Sequence, residues 1–195
     1  MKAEKNIPVI AVTNRNLCGR PFLEQIKRAA ERKPHAIILR EKDLSEEEYE
    51  ELADQVMKIC KNQGVDCILH TYVEAARRLK CRKIHLPLWL LEQKKSENKE
   101  FAKEYGFETV GVSTHSLKEA VLAESLGASY ITAGHIFMTD CKKGLEPRGL
   151  DYLREVCEGV QIPVYAIGGI HPYNQEAPIE AGAAGVCMMS EFMKL

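Results

Sequence analysis

Tyr130-Ile131-Thr132-Ala133 runs without a break into Gly134-His135-Ile136-Phe137-Met138-Thr139-Asp140-Cys141-Lys142-Lys143-Gly144-Leu145-Glu146-Pro147-Arg148-Gly149. The first four residues have the β-branched, apolar character of a buried strand. The sixteen that follow carry a histidine, three cations and three glycines. A buried strand that empties directly into a polar, turn-rich loop is the repeating joint of α/β proteins. It is also the place where such proteins keep their chemistry.

The same joint recurs along the chain. Short apolar runs occupy residues 8–13, 36–40, 66–70, 83–86, 109–113, 130–133, 163–167 and 185–189. Runs apolar on both faces predict parallel strands covered on both sides. Between them lie helical patterns at residues 21–32, 45–62, 116–126 and 172–181. Ser45 with Glu48 three residues later reads as a capping box, and Gly127 and Gly182 read as helix stops. Residues 92–103 are so polar that they read as a solvated helix or a loop. Eight β-then-α units predict a compact (β/α)₈ TIM barrel filling a single domain, residues 1–195. Only residues 191–195 follow the eighth strand, so the last helix is expected to be truncated or absent. The runner-up is an open doubly wound sheet. It is disfavoured because no Gly-rich dinucleotide fingerprint follows the first strand.

The bulk numbers narrow the function. A length of 195 residues suits one sizeable core. A net charge of −1 provides no basic excess for nucleic acid. No apolar run is long enough to span a bilayer, and residues 1–6 lack the apolar stretch of a signal peptide. The seven cysteines are irregularly spaced without a Cys-x-x-Cys pair, which points to reduced thiols and a cytoplasmic setting.

In a barrel the strand ends meet at one mouth. That gathers Thr13, Arg40, Glu41, Lys42, His70, Thr71, Ser113, His115, His135, Gly168, Gly169 and Ser190. Gly168-Gly169 and Met189-Ser190, at the ends of strands seven and eight, predict a phosphate cup formed by backbone N–H groups. Arg40 and Lys42 suit a carboxylate or a second phosphate. His135 is the candidate catalytic residue, because an imidazole can both take and give a proton near neutral pH. His115 either lines the pocket or caps the next helix. His35 and His85 read as structural, and nothing further distinguishes His70. No metal site is expected, since strands three and four end without an acid.

These residues resemble the thiamine phosphate synthase/TenI superfamily over essentially the whole chain, and its TenI branch most. The resemblance rests on Leu39-Arg40-Glu41-Lys42, Gly111-Val112-Ser113-Thr114-His115-Ser116, the run from Gly134 to Glu146, Ala166-Ile167-Gly168-Gly169-Ile170, and Gly182-Ala183-Ala184-Gly185-Val186 into Met189-Ser190. It implies a thiamine-biosynthetic enzyme acting on a small phosphorylated thiazole, and a homodimer. The TenI branch implies a cofactor-free thiazole tautomerase, an isomerase that aromatises a carboxylated thiazole phosphate by moving a proton. His135 then falls on its catalytic histidine, and Gly169, Met189 and Ser190 on its phosphate site. Thr139 and Lys142 are expected substrate contacts, with Ser113 and His115 beside them. The alternatives are a Mg²⁺-dependent thiamine phosphate synthase and a non-catalytic regulator. The synthase pattern has Asn-Asp after strand three and a Gly-Gln-Asp-Asp-like segment after strand four. Here those places read His70-Thr71 and Pro87-Leu88-Trp89-Leu90. The roles of His70, Trp89 and Cys141 stay open at the level of sequence.

Overall fold

The computed structural model describes residues 7–139 and 144–195. Eight parallel strands close into a barrel in chain order. They are β1 (Val9–Val12), β2 (Ala36–Leu39), β3 (Asp66–His70), β4 (Lys83–Pro87), β5 (Thr109–Thr114), β6 (Tyr130–Gly134), β7 (Val164–Ile167) and β8 (Gly185–Met188). The ring is closed by β1 against β8, with Ile10 opposite Cys187. Among the described residues the helices are α1 (Phe22–Glu31), α2 (Glu46–Gln63), α3 (Val73–Arg78), α4 (Leu88–Glu97), α5 (Phe101–Glu104), α6 (Leu117–Ser125), α7 (Gly149–Gly159), α8 (Glu176–Glu180) and α9 (Ser190–Met193). The eight expected strands are all present, and the final helix is a four-residue stub. No helix among the described residues is long and apolar enough to cross a membrane.

Strand alternation divides each buried strand between two cores. Ala11, Ile37, Leu39, Leu69, Ile84 and Leu86 face the helices. Ile10, Val12, Ala36, Ile38, Ile68, Tyr130 and Cys187 fill the barrel interior. With side chains alternating along a strand, the inward set continues upward from Ala36 and Ile38 to Arg40, and from Ile68 to His70. It is this parity that decides which strand-end residues enter the mouth.

Large and small residues alternate across the interior. A Cβ placed on Gly111 would lie 2.1 Å from Cζ of Tyr130, so the glycine on β5 is the space that the β6 tyrosine fills. Gly185 makes room for Tyr165 in the same way. The two tyrosine rings meet edge to face at 5.5 Å.

The helical expectations are corrected at α3, α7 and α8. α3 and α7 were not evident: α3 spans six residues, too few for a helical period, and α7 begins on a glycine at the end of the polar loop. The pattern at residues 172–181 yields only the five-residue α8. The polar stretch after β4 becomes two helices, and the first begins at Leu88 as soon as the strand ends. The capping box at Ser45 and Glu48 is present at the start of α2.

One helix side chain braces two strands. The fully buried Tyr49 of α2 donates its hydroxyl to the Leu39 carbonyl at 2.7 Å and accepts the His70 N–H at 2.8 Å. Replacing Tyr49 with Phe strands a carbonyl and an amide without solvent. We expect Tyr49→Phe to lower unfolding free energy by about 1–3 kcal/mol, read from urea denaturation.

Candidate active site

The floor of the mouth is built from β3 to β6. His85 is fully buried, and both its ring nitrogens are engaged: Nδ1 with the Tyr130 hydroxyl at 3.0 Å and Nε2 with Ser113 Oγ at 2.8 Å. Thr132 adds a longer contact to Ser113 at 3.5 Å. His70 lies face to face with His85, ring centres 5.6 Å apart and planes 19° apart. Its Nδ1 pairs with Thr71 Oγ1 at 2.7 Å. Burial, then the neighbouring His85 and the cations Arg40 and Lys42, hold the His70 pKa well below 6.5. Burial, with the same two cations, brings His85 down to about 3. The floor is therefore a pair of uncharged imidazoles at neutral pH. Thr71 sits at φ +68°, a left-handed conformation that strains a β-branched residue by about 1–3 kcal/mol.

The opposite wall is made by the loops after β6, β7 and β8. Beyond Gly134 the chain continues alongside β7: Ile136 N–H donates to the Ile167 carbonyl and Phe137 N–H to the Gly168 carbonyl, both at 2.9 Å. Gly168 and Gly169 have φ of +100° and +67°. A Cβ on Gly168 would lie 2.4 Å from Cβ of His135, and one on Gly169 would lie 2.3 Å from the Met138 carbonyl oxygen. The glycine pair thus serves two ends: it turns the chain, and it admits the histidine loop. Arg148 and Gly149 N–H groups return to the carbonyls of His135 and Ile136, at 3.0 and 3.1 Å. His115 Nδ1 donates to the Gly134 carbonyl at 3.0 Å. His135 is therefore held from three sides, with its Nε2 3.4 Å from the Leu145 carbonyl.

Most residues expected at the mouth do meet there. Arg40, Lys42, Ser113, His115, His135, Thr139, Gly168, Gly169, Met189 and Ser190 line one cavity, together with His70, His85 and Trp89. Lys142, like Cys141, lies outside the described residues. The choice left open for His115 resolves toward the pocket: the side chain that caps α6 is Ser116, which accepts the Glu119 N–H.

Thr13, Glu41 and Thr71 do not line this cavity. Glu41 is 2% exposed, and accepts the Thr13 hydroxyl at 2.6 Å and the Arg15 N–H at 3.1 Å. Arg15 also bridges Glu41 and Asp43. This carboxylate ties the loop after β1 to the loop after β2. Two residues escaped the sequence reading. His85 was read as structural, but inward parity puts it in the pocket floor. His171, after β7, lines the same cavity and pairs through Nδ1 with Glu191 at 2.6 Å. A sequence cannot show that this helix-start glutamate reaches it.

Among the described residues the donors at the ends of β3 and β4 do not suit Mg²⁺. A hard cation needs several oxygen ligands. β3 ends in the uncharged imidazole of His70, β4 ends in Pro87, and Glu41 is already engaged. Among the described residues no group of three His, Cys, Asp or Glu side chains is arranged to hold a metal.

A family model described as thiamine monophosphate synthase matches residues 9–192. The chain belongs to the thiamine phosphate synthase/TenI superfamily. A thiamine-phosphate synthase from Shouchella clausii is 34% identical over 90% of this chain and 82% of its own length. Another from Desulfitobacterium hafniense is 34% identical over 93% of this chain and 87% of its own. The structure of a thiamine phosphate pyrophosphorylase from Pyrococcus furiosus superposes with a TM-score of 0.78 at 29% identity, covering 94% of this chain and 86% of that one.

The imidazole pair gives this superfamily member an acid sensitivity of defined sign. Both histidines titrate lower in the folded chain than at their ordinary 6.5, so the unfolded chain binds more protons below that pH. Their contribution to stability is complete above pH 6.5. It declines as pH falls from there toward about 3, the value His85 reaches when folded. We expect a loss of up to about 1.4 kcal/mol per histidine for each pH unit below 6.5, measured by urea unfolding at pH 7.5 and 5.5. His85→Asn should flatten that slope.

Proposed function

We propose that this chain is a thiazole tautomerase-like isomerase that aromatises a carboxylated thiazole phosphate. The observation that carries the reading is the close packing of His135 against Gly168, on a loop that Ile136 and Phe137 bond to the end of β7. It sets a proton-transfer group beside the wall best suited to a phosphate. In this reading the substrate phosphate rests on the backbone of Gly168, Gly169, Met189 and Ser190, where N–H groups at the ends of β7 and β8 can face it. Arg40 faces the carboxylate, with Lys42 adding positive charge. Ser113, His115, Thr139 and Lys142 border the ring.

His135 takes the proton from the ring carbon beside the carboxylate. The C–H electron pair enters the ring, and the exocyclic double bond shifts inward. His135 then returns a proton to the exocyclic carbon. One bond to hydrogen breaks, another forms, and no redox partner or metal is required. Proton transfer of this kind is worth roughly 10²–10⁴-fold in rate.

A second reading is supported by the names of the relatives: synthesis of thiamine phosphate from a pyrimidine pyrophosphate and a thiazole phosphate. That reaction expels a pyrophosphate, whose charge needs neutralising as it leaves. The carboxylate-poor ends of β3 and β4 count against it.

Two assays separate the readings. His135→Ala, folded by circular dichroism, should lose about 10²–10⁴-fold in thiazole aromatisation. Undiminished turnover would remove His135 from the mechanism. Substantial thiamine phosphate formation by the wild-type chain with both phosphate substrates and Mg²⁺ would favour the synthase.

A further inference from the structure

The stacked histidines of the floor have no part in the proton transfer, yet they are built with care. His85 is locked by the Tyr130 hydroxyl and Ser113. His70 is locked by its stack on His85, by the Tyr49 hydroxyl on its N–H, and by Thr71 on its Nδ1. Thr71 adopts φ +68° and is held there by its own N–H, which donates to the His85 carbonyl at 3.0 Å. Strain in a β-branched residue persists only where its surroundings enforce it, and here it fixes one imidazole ring. Nδ1 is taken by Thr71, and no bond to Nε2 is found among the described residues. His70 lines the cavity.

Position in the ring adds a second argument. β3 and β4 stand four strands away from β7 and β8, across the barrel. A molecule anchored by its phosphate on the loops after β7 and β8 directs its other end toward His70 and His85. That end meets two flat, uncharged rings, with Arg40 and Lys42 beside them in the same cavity. Such a surface suits a planar heteroaromatic ring with a nitrogen or sulfur edge.

We propose that His70 is a specificity-determining residue for the heterocycle, its Nε2 edge meeting a polar ring atom of the substrate while Thr71 and His85 hold it in place. The proposal rests on the tautomerase reading for its substrate. It does not depend on His135 or on turnover, so binding tests it separately.

The experiment compares two probes by calorimetric titration, a carboxylated thiazole phosphate and inorganic phosphate. The wild-type chain should prefer the thiazole phosphate. His70→Ala should lose about tenfold in affinity for it, the scale of one hydrogen bond, while its affinity for inorganic phosphate stays within about twofold. Thr71→Gly suits the left-handed backbone and frees the ring without threatening the fold, so it should fall in the same direction by less. Should His70→Ala fail to fold, Thr71→Gly alone decides. Retained preference in the folded variants overturns the role of His70 and leaves the tautomerase reading standing. If the wild-type chain shows no preference for the thiazole phosphate, both fall together.

Discussion

Two hydrogen bonds organise the mouth of this barrel: Ile136 to Ile167 and Phe137 to Gly168. They carry the pairing of β6 and β7 past the last regular residues, so the loop that bears His135 leaves the sheet along a prescribed path. That path passes so close to Gly168 and Gly169 that neither could carry a Cβ. The turn at Gly168-Gly169 and the placement of His135 are therefore products of one packing constraint. A side chain on Gly168 would strike His135 itself, and one on Gly169 would strike Phe137 and Met138 of the same loop.

Charge is distributed with equal economy. Arg40 and Lys42 supply the mouth's positive side, and their field helps to keep His70 and His85 uncharged. Glu41 lies between them in sequence, yet its carboxylate is withdrawn into the clasp of Thr13 and Arg15. The mouth thus keeps its cations while a neighbouring anion does structural service below the surface. The result is a pocket with a charged rim and a neutral floor.

Much of this was legible in the sequence. The eight apolar runs, each followed by a helical or polar stretch and without a dinucleotide fingerprint after the first, point to a barrel, and their ends reveal the mouth. Arg40, Ser113, His115, His135 and the glycine pair follow directly. His85 did not follow, because its place in the floor is a matter of inward parity in the middle of a strand, visible only once the barrel's register is set. Glu41 failed in the opposite way: its position at a strand end is correct, and its side chain turns aside to a partner 26 residues away in Arg15. The contact of His171 with Glu191 joins two loops with no shared sequence signal. Helices too short to show a period, such as α3, were beyond reach for the same reason that they are stable only within the fold.

The tyrosine that fills the gap left by Gly111 has a consequence for the pocket's depth. Its ring closes the interior from below, and its hydroxyl is the point on which His85 rests. His85, which lines the cavity, is thus supported by a side chain from another strand, standing in space that a neighbour's missing side chain left vacant. Depth and rim are governed by different residues. A lineage could lengthen or shorten the ligand this barrel accepts by exchanging bulk between two buried positions, and leave every loop at the mouth untouched.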